Sequence, residues 1–132
     1  MSRPNFDSKG IDETTFAPFV LENKLESEWK DVRLAFDAWE RLHEMYDEDS
    51  LDGYDLNGYG LQGLVMACRL HAGLEVRAEG IHYNSEGDTC YIHFSRLEDA
   101  VETARLASEM LEDRKKLVEM IAIARDNGFE DQ

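Results

Sequence analysis

Long apolar runs are missing from this chain. No window reaches 18 apolar residues, so no transmembrane helix is expected, and residues 1–13 (MSRPNFDSKGIDE) lack the apolar stretch of a signal peptide. Cysteine is scarce as well. Cys68 and Cys90 show no CxxC or other metal-ligand spacing and lie among apolar neighbours, so buried free thiols and a reducing cytoplasm are expected. Basic charge is short: 14 Lys and Arg face 29 Asp and Glu, a net charge of −15. Such a field repels nucleic-acid phosphate and anionic membrane, which removes both from the expected partners, and it speeds encounter with basic surfaces. The motifs of covalent and cofactor chemistry are also missing, with no GxSxG, HExxH, P-loop or GxGxxG in the chain. Carboxylates abound, but a catalytic pair needs a pocket that splits their pKa values, and spacing does not show one. Neither an enzyme nor a cofactor is expected.

What is present suits one domain: 132 residues, 42% of them hydrophobic, suffice for a real core. Residues 1–13 are polar, with Pro4 and Gly10, and read as a loose arm before a single domain over 14–132. Residues 14–21 (TTFAPFVL) are rich in strand formers, and Pro18 makes them an edge strand or an irregular extended piece. Ser27 is placed to cap a helix over about 28–46, with Val32, Ala35, Phe36, Trp39, Leu42, His43 and Tyr46 on one face. A glycine-rich acidic loop follows over 47–60. A second helix over about 61–72 turns Leu61, Leu64, Val65 and Cys68 inward, and Gly73 ends it.

Residues 80–94 (GIHYNSEGDTCYIHF) read as a β-hairpin. With Glu86 and Gly87 at the tip, Tyr83 faces Cys90 and Ile81 faces Ile92. That puts Ile81, Tyr83, Cys90, Ile92 and Phe94 on one face, and His82, Asn84, Thr89, Tyr91 and His93 on the other. Ser95 to Glu98 form a capping box for a helix to about Leu111, with Leu97, Ala100, Val101, Ala104, Ala107 and Leu111 as its stripe. That stripe would next land on Lys115, so a break is expected near Glu112 and Asp113. A last helix then uses Leu117, Val118, Ile121 and Ala124, closed by Asn127 and Gly128. The expected fold is α+β: a small antiparallel sheet with a central hairpin, packed against about four helices, the last two C-terminal.

The acidic loop fails as a calcium loop. With Gly53 at the sixth position of an EF-hand, Glu48, Ser50 and Asp52 fall on ligand positions, but the twelfth is Tyr59, so the bidentate carboxylate is missing. His82 and His93 share a hairpin face with Asn84 and Thr89, which are poor metal ligands, so no metal is expected there. The acid-aromatic surface remains. Residues 42–68 hold no Lys or Arg, and Asp47, Glu48, Asp49, Asp52 and Asp55 alternate with Tyr54 and Tyr59 in the loop. Acids steer a basic partner and tyrosines anchor it, so these seven residues are the candidate partner-binding set.

Three segments together, GYDLNGYGLQGL (53–64), IHYNSEGDTCYIHFS (81–95) and IARDNGFED (123–131), resemble the bacterial polymorphic-toxin immunity family called immunity protein 51. Gly53, Tyr54 and Asp55 match that family's Gly-Tyr-Asp segment, and Ser85 and Glu86 match its hairpin turn. Asn84 stands where the family usually has Asp, and Leu56 where it has Trp. The resemblance implies a small cytoplasmic α+β protein that neutralises a cognate toxin domain by direct binding; the acidic charge adds a nuclease with a basic active site as a candidate toxin, since opposite fields raise the association rate. An acidic adaptor, a nucleic-acid-mimicking inhibitor and a small-ligand-binding regulator are the competing expectations.

Overall fold

Alternation of apolar and polar residues sets the architecture. In the computed structural model, which describes residues 3–46, 51 and 53–129, five strands form one antiparallel sheet. They are β1 (Ile11–Asp12), β2 (Val20–Lys24), β3 (Asp31–Phe36), β4 (Ile81–Tyr83) and β5 (Cys90–Phe94), in the order β1-β2-β3-β5-β4. Helices α1 (Trp39–Met45), α2 (Gly58–His71), α3 (Leu97–Glu112) and α4 (Arg114–Asp126) complete an α+β fold, the last two being C-terminal as expected. Helices α2 and α3 cover one face of the sheet, and α4 packs behind them. Helix α2 is buried all round from Leu61 to Arg69, as a helix held between a sheet and another helix must be. Among the described residues no helix is long and apolar enough to cross a membrane.

The largest departure from expectation is β3. Residues 31–36 are a strand, because Val32, Leu34 and Phe36 alternate at period two and all three are buried. Ala35, expected on the buried stripe of a helix, lies on the opposite face of the strand. Ser27 caps no helix. Its hydroxyl donates to the Lys24 carbonyl (2.6 Å) and closes the turn between β2 and β3. Only the end of the expected helix survives, as the seven-residue α1, where Leu42 is buried.

Residues of the expected loose arm are also held. The backbone of Asp12 pairs with Leu21, and its buried carboxylate accepts from the N–H groups of Asn5 (2.7 Å), Thr14 (3.0 Å) and Thr15 (3.0 Å). Burial opposes that charge, but the three N–H donors outweigh it and bring the carboxyl down to about 2.

The hairpin face assignment holds while its register differs. The tip is Gly87 and Asp88, between Glu86 and Thr89, so Ile81 pairs with Phe94 and Tyr83 with Ile92. Moving the turn by one residue slides the pairing by two, which leaves every side chain on its face. Helix α3 starts at Leu97 without a side-chain cap, so the capping box is not formed. Asp113 ends α3 and caps α4, accepting from the N–H of Lys115 (3.0 Å). Val118 is exposed, and Met120 takes the buried place expected for it.

Candidate partner-binding site

The segment richest in the resemblance proves to be a packing joint. Asn57 caps α2 by accepting from the Gly60 N–H (2.8 Å). Gly58 donates its N–H to the Gly87 carbonyl (3.0 Å), and a Cβ there would sit 1.6 Å from the Glu86 carbonyl oxygen. A Cβ on Gly60 would sit 1.9 Å from the Asp55 oxygen, and one on Gly63 2.8 Å from that of Phe129. Gln62 Oε1 accepts from the Ser85 N–H (3.2 Å). The Gly-Tyr-Asp segment, the hairpin turn and the C-terminal end therefore all meet α2.

Tyr54 belongs to this joint and not to the surface. It is 1% exposed, its hydroxyl donates to the Gly60 carbonyl (2.7 Å), and the Arg125 guanidinium lies 5.5 Å from its ring centroid. Its expected role as an anchor for a partner is corrected accordingly. The glycines leave room for a large ring beside the helix, and the ring fills it. Tyr46, interleaved with the same acids, is buried too, and its hydroxyl donates to the Leu111 carbonyl (2.6 Å). Asp55 and Tyr59 are exposed, Tyr59 to 43%. Asp47, Glu48, Asp49 and Asp52 lie outside the described residues.

The joint brings a second acidic segment to the first. Trp39 Nε1 donates to the Asp88 carbonyl (2.5 Å), His43 Nε2 donates to the Leu56 carbonyl (2.9 Å), and Gly58 holds Gly87. Exposed Asp37, Glu40, Glu44, Asp55, Glu86 and Asp88 are thus drawn toward one end of the molecule, with Arg41 on α1 and Arg125 beside Tyr54 as basic residues near them. Glu40 and Glu44 are four apart on α1, an arrangement that costs a helix roughly 0.2–0.5 kcal/mol. Helix α1 carries that cost over only seven residues.

The sheet face turned away from the helices carries a different chemistry. Cross-strand partners line up as Val20–Ala35–Tyr91 and as Ile11–Glu22–Arg33–His93–His82. Arg33 Nε donates to Asp31 (3.1 Å) and its Nη1 donates to the Tyr91 hydroxyl (3.1 Å), while the guanidinium lies 5.3 Å from the Trp29 ring centroid. His93 Nδ1 donates to the other Asp31 oxygen (3.1 Å), which leaves Nε2 buried with no hydrogen-bond partner among the described residues. Burial works against the Asp31 charge, but the hydrogen bonds from His93 and Arg33 prevail and hold its carboxyl below the ordinary value. Trp29, 59% exposed, ends this row of Arg and aromatic side chains, a composition enriched at binding hot spots. The helix reading of residues 28–46 concealed Trp29, Asp31 and Arg33. The period-two run Val32, Leu34, Phe36 was the signal that could have found them.

Cys68 and Cys90 are buried free thiols, and burial pushes both up to about 12, far from a reactive thiolate. Among the described residues no group of three or more His, Cys, Asp or Glu side chains is placed to hold a metal ion. Compared with family models, curated proteins and solved structures, the chain matches none.

Proposed function

We propose that this chain is an immunity-type protein that neutralises a cognate bacterial toxin domain by direct binding, its acidic end steering a basic partner onto it. The observation that carries this reading is the convergence of the exposed acids of the hairpin turn, Glu86 and Asp88, with Asp55 and α1 in a chain of net charge −15. Opposite fields raise the association rate, and an exposed tyrosine at the same end, Tyr59, supplies an anchor of low conformational cost. The three segments that resemble the immunity family meet at α2, so they support the reading as one structural unit. The small-ligand alternative would use the open sheet face, where a depression of about 520 Å³ lies between Trp29, Asp31, His82 and His93, within the roughly 300–1,000 Å³ usual for ligand pockets; the cavity lined by Cys68, His71, Leu106, Met110 and Met120 holds only about 230 Å³.

Co-expression with the product of the adjacent gene tests the proposal, scored by rescue of growth and by co-purification. Failure of both would remove the toxin reading. With a partner in hand, neutralising Asp47, Asp49 and Asp52 together slows association several-fold at low salt and little at high salt, because the Debye length falls from about 10 Å at 0.1 M to 3 Å at 1 M. Wild-type association by that triple variant at low salt would make the loop merely solvated.

A further inference from the structure

The open sheet face contains a groove of about 280 Å³ beside the Val20–Ala35–Tyr91 row. Its floor is apolar, made by Ile11, Val20, Ala35 and the Tyr91 ring, all half-buried. Three carboxylates stand on its rim: Glu13, Glu22 and Asp37. Glu22 has Lys24 at 3.7 Å, while Glu13 and Asp37 are exposed and form no ion pair with any described residue. Among the described residues no strand or helix covers this face.

From these two features we infer that the groove is a docking site for an arginine side chain of a basic protein partner. The physical choice is made by elimination. A wholly apolar occupant would strip water from three carboxylates and give nothing back, and an anion would be repelled. A bare metal ion makes no use of the floor, and these carboxylates do not converge as a metal-holding group. An arginine answers both features: its three methylenes lie on Ile11, Val20 and Ala35, and its planar head fans five donors toward acids that stand apart from one another. Charge complementarity with a chain of net charge −15 points the same way. This inference leans on the proposed function only for the origin of the arginine.

The test uses N-butylguanidinium, a guanidinium head on an apolar stem, titrated at millimolar concentration into the ¹⁵N-labelled full chain. The expected result is saturable shifts of the Ile11, Val20, Glu22, Ala35 and Tyr91 amides, with a dissociation constant on the order of 1 mM. Guanidinium without a stem, and butanol without a charge, give no saturable shift at those amides. The double variant Glu13→Gln with Asp37→Asn weakens butylguanidinium by about fivefold, as two exposed charge pairs should. Shifts that grow linearly across the acidic surface, that the stemless ion reproduces, or that the double variant leaves unchanged overturn the inference. Because the probe needs no toxin, failure of co-expression leaves this result standing, and failure of the titration leaves the toxin reading standing.

Discussion

The two faces of the sheet are built by adjacent residues of the same strands yet share almost no chemistry. Leu34 is wholly buried under the helices, while its neighbour Arg33 lies between Trp29 and Tyr91 on the other side. On β5, Ile92 is buried and His93 hydrogen-bonds the Asp31 carboxylate. The inner face is held by exclusion of water, which tolerates no gap. The outer face is held by the Arg33–Asp31 ion pair, hydrogen bonds and edge-on and cation–π ring contacts, which water can in part replace. Stability should therefore depend far more on the inner face than on the outer one.

The comparison is broken or sharpened most by Leu34→Ala, which should cost about 4 kcal/mol in denaturant unfolding. A cost under about 1 kcal/mol would mean that the helices do not close that face. Gly58→Ala should follow at about 3 kcal/mol or more, since its Cβ would sit 1.6 Å from a carbonyl oxygen and the hairpin turn would have to lift off α2. A near-wild-type thermal midpoint would dismiss that seat. Asp12, a charge on the helix side of the sheet, tests the exception. Its folded carboxyl lies at about 2 against an ordinary 3.8, so its contribution is complete above pH 4 and disappears as pH falls toward 2. Asp12→Asn should cost about 2 kcal/mol at neutral pH and flatten that acid step in a pH series of urea titrations. Arg33→Ala should remove less than about 1 kcal/mol, and a larger loss would make the outer face structural. The smallest effect is none at all: EDTA should leave the thermal midpoint unchanged, and a drop restored by zinc or calcium would reopen the acidic loop and the histidines.

The parts legible in the sequence are those where one period dominates. The alanine-spaced stripe of α3, the break at Asp113 and the hairpin's inner face all follow from periodicity, and each is found. Residues 31–46 were harder, because DVRLAF joins a short helix without a glycine or proline between them. A helical template absorbs Val32, Ala35 and Phe36, and only Leu34 falls outside it. The hairpin turn slipped by one residue because Glu86-Gly87 and Gly87-Asp88 are both plausible tips, and the docking of Gly58 on Gly87 is not local information. The candidate site was legible in its charge and not in its aromatics. Tyr54 and Tyr59 look alike among acids, yet the first points into the space that Gly60 and Gly63 leave open and the second points out. Three glycines within six residues of a helix were the available sign that something large packs closely there.

Those glycines also say something about the order in which α2 is covered. Gly60 is closed off by a carbonyl at residue 55, Gly58 by one at 86 and Gly63 by one at 129. One helix thus waits for a near neighbour, then for a hairpin synthesised well after it, and then for almost the last residue described. During synthesis, a chain stopped after β5 would lack both α3 and α4, so part of the sheet's inner face and the apolar side of α2 would face solvent. The outer side of α2 is covered only once α4 arrives, and removing α4 should leave that side of α2 open to solvent.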